Sequence, residues 1–110
     1  MRKAKIIATD GSYIKNNAGY AIVTDNGIKL QSKVIGLQNS QNAEIQALHT
    51  AIELIKDTEN DIIVISDSLS TVTSILSPNK LSNILIEDIK RFLKNNKHII
   101  LKWIKAHNQH

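Results

Sequence analysis

Apolar and polar residues alternate through the first third of the chain, and the pattern then changes to a helical period. Residues 4–10 read as a strand, with Ile6, Ala8 and Asp10 sharing one face and Asp10 at its end. Residues 19–25, GYAIVTD, form a second strand. Asn26-Gly27 follows, a dipeptide suited to a type I′ hairpin because both turn residues take positive φ. Residues 28–36 return as a third strand, which completes an antiparallel meander. From Asn42 to Lys56, Ile45, Leu48, Ile52 and Ile55 recur at spacings of three and four, as on one helix face. Residues 61–66, DIIVIS, are a continuous apolar run that suits a central strand covered on both faces. Ser66 to Ser70 is rich in N-cap residues, so a short helix is expected to run to Leu76 before Pro78 turns the chain. Leu81 to Asn96 reads as another amphipathic helix, with Leu85, Ile89 and Phe92 on one face, and His98 to Ile104 as a last strand. The order β-β-β-α-β-α-α-β predicts an α/β fold, a mixed sheet with helices packed on it.

Three carboxylates interrupt this pattern. Asp10 lies on the face of Ile6 and Ala8, and Asp67 ends the fourth strand on the face of Ile63 and Ile65. Taken singly, Asp10 could belong to an Asp-Gly turn and Asp67 could cap a helix. Strand ends are also where sites form in open α/β sheets. Glu44 is harder to assign to a structural role. At 100° per residue it falls within ~60° of Leu48, Ile52 and Ile55, in the first turn and on the face expected to be buried. Its structural alternative is stabilisation by the positive helix N-terminus. Three carboxylates held together repel one another and take up protons unless a cation neutralises them. All-oxygen ligation favours Mg²⁺, with Mn²⁺ as a substitute. Two such ions sharing carboxylates can activate water and stabilise a leaving oxygen in phosphodiester hydrolysis.

Composition narrows the setting. The 110 residues suggest one domain, and 42% hydrophobic with 22% charged residues is ordinary for a globular protein. No cysteine is present, which rules out disulfides and thiolate metal sites and fits a reducing, intracellular, cytoplasmic setting. No apolar run approaches the ~18 residues of a membrane span. Net charge is +4, a mild bias towards polyanionic partners. The four aromatic residues are too few for a single-strand stacking platform.

At this point the residues resemble a known family. Thr9-Asp10-Gly11-Ser12 with Gly19, Asn42-Ala43-Glu44 with Ala47, Ser66-Asp67-Ser68, and Trp103-Ile104-Lys105-Ala106-His107 are similar, in order and spacing, to the four motifs of type 1 ribonuclease H. The resemblance covers nearly the whole chain. It implies a five-stranded mixed sheet, the first three strands antiparallel and the last two parallel to the first. It also implies endonucleolytic cleavage of the RNA strand of RNA–DNA hybrids. In that reading Asp10 bridges two metal ions, Glu44 and Asp67 hold the ion on the leaving-group side, and His107 shuttles protons or helps release product. Gly11, Ser12, Gln41 and Asn42 occupy positions that contact the hybrid minor groove, where 2′-hydroxyls distinguish RNA from DNA.

Two departures from the family shape the expectation. A basic helix-and-loop handle is absent, which leaves Lys90, Arg91, Lys94 and Lys97 as candidates for substrate grip, although a solvated basic helix face is the commoner meaning of such a run. The family also continues beyond the histidine loop into a helix that supplies a fourth carboxylate. The 110 residues therefore read as a domain truncated at its C-terminus, its last acid coming from a missing segment or a neighbouring subunit, with weak or no activity by itself. Competing readings are a hybrid-binding module with little activity, an integrase- or transposase-like core acting on DNA, and a structural domain whose acids are caps and turns.

Overall fold

A computed structural model describes residues 4–27, 29–80 and 82–105. Its elements are β1 (Lys5–Ile14), β2 (Asn17–Thr24), β3 (Lys29–Lys33), α1 (Ser40–Ile55), β4 (Ile62–Ser66), α2 (Leu69–Leu76), α3 (Ile84–Asn95) and β5 (Ile99–Trp103). They form one five-stranded sheet in the order β3-β2-β1-β4-β5. β1 pairs antiparallel with β2, and β2 with β3, while β4 runs parallel to both β1 and β5. This is the mixed α/β sheet expected from the order of elements.

The alternation of the strands separates two faces. Ile7, Ile22, Ile62, Val64 and Ile99 point to one side and pack with Ile45, Leu48 and Ile52 of α1, Ile75 of α2, and Ile86 and Ile89 of α3. Each such side chain taken out of water contributes about 1.5–3 kcal/mol. Alanines at 43, 47 and 51, all fully buried, let α1 lie close against the sheet. Each helix opens on a side-chain cap: Asn39 accepts from the Asn42 amide, Ser68 from that of Thr71, and Asn83 from that of Ile86.

The other face is less covered than the apolar run of β4 suggested. Ile63 and Ile65 are half-buried, and Ile6, Val23 and Ile100 are exposed. Among the described residues all the helices pack on the opposite side, so β4 is central in the sheet but covered on one face.

The turns also differ from the expected ones. Asn26-Gly27 is not a type I′ pair. Gly27 has φ +88 and donates its amide to Thr24, but Asn26 does not adopt positive φ. The two-residue, positive-φ loop lies instead at Lys15 (φ 49) and Asn16 (φ 65), which join the paired residues Ile14 and Asn17. β1 therefore continues four residues past Asp10, because the hairpin with β2 outlasts the pairing with β4. The last β1–β4 partners are Thr9 and Ser66.

Candidate active site

The site is built where two parallel strands separate. Asp10 follows the last residue of β1 that pairs with β4, and Asp67 directly follows β4. Asp10 follows the alternation of Ile6 and Ala8 on β1, and both aspartates are exposed. Glu44 comes from the other layer. α1 begins at Ser40 rather than Asn42, so Glu44 sits in its second turn, one turn later than the sequence suggested. It reaches the strand ends because Gly11 has no side chain. A Cβ there would stand 2.9 Å from the Ala43 Cβ and 2.9 Å from the Glu44 amide nitrogen. This close approach lets the Gly11 amide donate to Glu44 Oε1 at 3.1 Å.

The surrounding polar groups hold the strand ends in place. Thr9, a buried residue, donates its hydroxyl to the Ile65 carbonyl at 3.1 Å. Fully buried Ser66 accepts from the Ser68 amide at 3.1 Å. On the β5 side, the Ile104 amide donates to the Ser66 carbonyl at 3.0 Å, and the Trp103 indole donates to the Asp67 carbonyl at 3.1 Å. The tryptophan thus braces the backbone that carries Asp67. Its pattern in the sequence flagged the motif but not this hydrogen bond.

One oxygen from each of Asp10, Glu44 and Asp67 can be chosen so that all lie within 4.8 Å of one another. Ligands on a single Mg²⁺ at about 2.1 Å are at most about 4.2 Å apart, so small side-chain rotations would bring these oxygens onto one ion. The donor set is hard oxygen only, which fits Mg²⁺ or Mn²⁺.

The electrostatics agree with a site suited to a cation. Burial, then the charges of Asp67 and Asp10, push the Glu44 carboxyl up to about 7, against the opposing Gly11 hydrogen bond. Burial and Asp67 also raise Asp10, while Lys29 on β3 pulls it back. A carboxyl raised above its unfolded value favours folding when protonated. In metal-free buffer the Glu44 contribution should therefore be fully present below about pH 4.5 and fall away as pH rises towards about 7. Thermal unfolding of the wild type beside Glu44→Gln in EDTA checks this. The wild type is expected to lose stability relative to the variant across that window, and a constant difference would contradict the shift.

Of the remaining predicted residues, Ser12 is exposed on the same face as Asp10, and Gln41 is exposed at the start of α1. Gln41 and Asn42 line an open groove of about 400 Å³ with Asn39, Ser74 and Asn83. The Asn42 side chain also donates to the Leu37 carbonyl at 2.8 Å, which braces the loop before α1. Gly11 is half-buried beneath α1. His107 lies outside the described residues.

The family model for RNase H matches residues 2–110. The chain belongs to the RNase H family. No curated protein sequence matches it. The order of strands in the sheet and the convergence of Asp10, Glu44 and Asp67 fit an RNase H domain, and the family match supports a hydrolase of the nuclease kind. No helix among the described residues is long and apolar enough to cross a membrane.

Proposed function

We propose that this RNase H domain cleaves the RNA strand of RNA–DNA hybrids endonucleolytically, with Mg²⁺ held by Asp10, Glu44 and Asp67. The observation that carries this reading is the meeting of three carboxylates, from two strands and a helix, at one end of an RNase H family sheet. When bound, divalent cations shared by these acids would supply activation of water and stabilisation of the leaving oxygen. Asp10, carried by the middle strand of the sheet, is assigned the bridging role. Glu44 and Asp67 are assigned the leaving-group side. The Gly11 amide fixes the direction of the Glu44 carboxylate, and Trp103 fixes the strand end that bears Asp67. His107 is assigned proton transfer or product release.

Substrate selection is assigned to Gly11, Ser12, Gln41 and Asn42. Side-chain amides both donate and accept, so they can pair with 2′-hydroxyls in either sense. Among the described residues, the groove beside Gln41 and Asn42 has no charged lining residue, which suits contacts to sugars and base edges.

Labelled RNA–DNA hybrid, duplex DNA and duplex RNA, incubated separately with the protein in Mg²⁺, test the substrate class. The expected result is cutting of the hybrid's RNA strand alone, leaving 3′-hydroxyl and 5′-phosphate ends. Cleavage of duplex DNA at an equal or greater rate would assign the acids to a different nuclease.

A further inference from the structure

The ion pairs among the described residues join His49 to Asp88, Lys56 to Glu53 and Arg91 to Asp88. None uses Lys90, Lys94 or Lys97. These three lysines instead line one groove of about 410 Å³ between the end of α2, the outer side of α3 and edge strand β5. Its other walls include Leu76, Leu93 and Ile100, and among the described residues no carboxylate lines it, Glu87 lying in the adjoining groove on the other side of Lys90 and Lys94. Lys90 is half-buried, and its ammonium donates to the carbonyls of Ser77 and Asn79, the latter at 2.9 Å. That fixes one positive charge in the groove wall. Lys94 and Lys97 are exposed. Lys90 and Lys94 stand one turn apart on α3, where like charges repel. An apolar floor with a rim of three lysines is complementary to a polyanion.

The groove is tied to the acidic cluster by a single strand. β5 lines the groove at Ile99, Ile100 and Leu101 and ends at Trp103, whose indole meets the Asp67 carbonyl. Five residues at ~3.3 Å each span about 17 Å. At about 3.4 Å per base pair, this corresponds to about five base pairs of duplex.

We infer that this lysine groove is a second contact for the phosphodiester backbone of the hybrid, about one strand length away from the cut. The inference rests on the hybrid-cleavage reading and extends its substrate footprint. Lys94 and Lys97 neutralise phosphates, while Lys90 shapes the groove. Such contacts carry no sequence information and act through affinity.

The test is binding of a fluorescent hybrid across a salt series, with Asp10→Asn as parent so that the substrate stays intact. The comparison is the parent against the same chain with Lys94→Ala and Lys97→Ala. Each lysine withdrawn from a phosphate should lower the slope of log affinity against log salt by about 0.9. Between about 50 and 200 mM salt the parent is then expected to lose roughly twelve-fold more affinity than the double variant. Lys94→Arg with Lys97→Arg should keep the parent slope. A short hybrid that ends before the groove should be bound alike by parent and variant.

An unchanged slope on the long hybrid, with the parent binding it well, would overturn the inference and leave the hybrid reading standing. So would an equal loss on the short hybrid. Loss of binding to anionic lipid vesicles without any change on hybrid would overturn it in favour of a membrane surface. Absence of hybrid binding by the parent would overturn the hybrid reading itself, and this inference with it.

Discussion

Gly11→Ala is expected to lower both stability and activity, although it adds one methyl group. The new Cβ would meet the Ala43 Cβ and the Glu44 amide nitrogen, each at 2.9 Å. Neither is the free end of a flexible side chain, so neither can swing aside. α1 must move away from β1, which packs against it. Overpacking of this kind costs about 1–3 kcal/mol. Gly11 does not adopt positive φ, so alanine brings no backbone strain of its own. Restriction of the unfolded chain returns about 0.4–1 kcal/mol. The net loss is about 1–2 kcal/mol, or roughly 4–8 °C in Tm. The larger effect falls on the site. The Gly11 amide that holds Glu44 Oε1 moves relative to the helix that carries Glu44. Misplacement of a reacting geometry by about 1 Å can cost 10²-fold in rate. Calorimetry and hybrid cleavage on the same preparation check both effects. A variant with wild-type Tm and rate would show that α1 is not seated against β1 in the way described.

Asp10→Asn is the second large effect, and it acts in opposite directions on stability and function. The substitution keeps the shape and removes one of three mutually repelling carboxylates. Glu44 is raised in part by Asp10, so its carboxyl should return towards the usual range. In EDTA the variant is expected to unfold at a higher temperature than the wild type. In Mg²⁺ the order should reverse, because the wild type gains RT ln(1 + [Mg²⁺]/Kd), about 2.7 kcal/mol at a hundred-fold excess over Kd. Cleavage should fall by about 10³-fold or more, since metal-dependent charge stabilisation contributes several kcal/mol to the transition state. A variant that unfolds in both buffers would give Asp10 a structural role instead.

The meander, the long helix and the later strands were legible because each carries its own period over enough residues. Ile45, Leu48, Ile52 and Ile55 mark the helix, and these four residues make up its buried face together with the small Ala43, Ala47 and Ala51. The convergence of three acids was legible for the converse reason. Asp10, Glu44 and Asp67 are acids at positions that the period assigns to apolar faces, and all three meet.

What the sequence hid depends on contacts between distant elements. The β1–β2 turn falls at Lys15-Asn16, which contains no glycine, whereas Asn26-Gly27 has the composition of a type I′ turn and a different backbone. Strand pairing beyond Asp10 decided the first case, since the exposed arm from Ser12 to Ile14 is held by pairing with β2 rather than by a core. The open face of β4 could not be read from a run of isoleucines and valine, because composition does not say where the helices go. Gly11 looked like a turn residue or a minor-groove contact, and nothing local indicated that a helix from 33 residues further on would press against it. The indole of Trp103 likewise finds Asp67 only after β4 and β5 pair.

The most direct measurement is cleavage of a hybrid labelled on its RNA strand by this chain, in Mg²⁺ and separately in Mn²⁺, with Asp10→Asn alongside. Metal-dependent cutting of the RNA strand, lost in the variant and in EDTA, is the expected result. Cutting that persists in Asp10→Asn or without a divalent ion would contradict the claim that these carboxylates form the catalytic metal site.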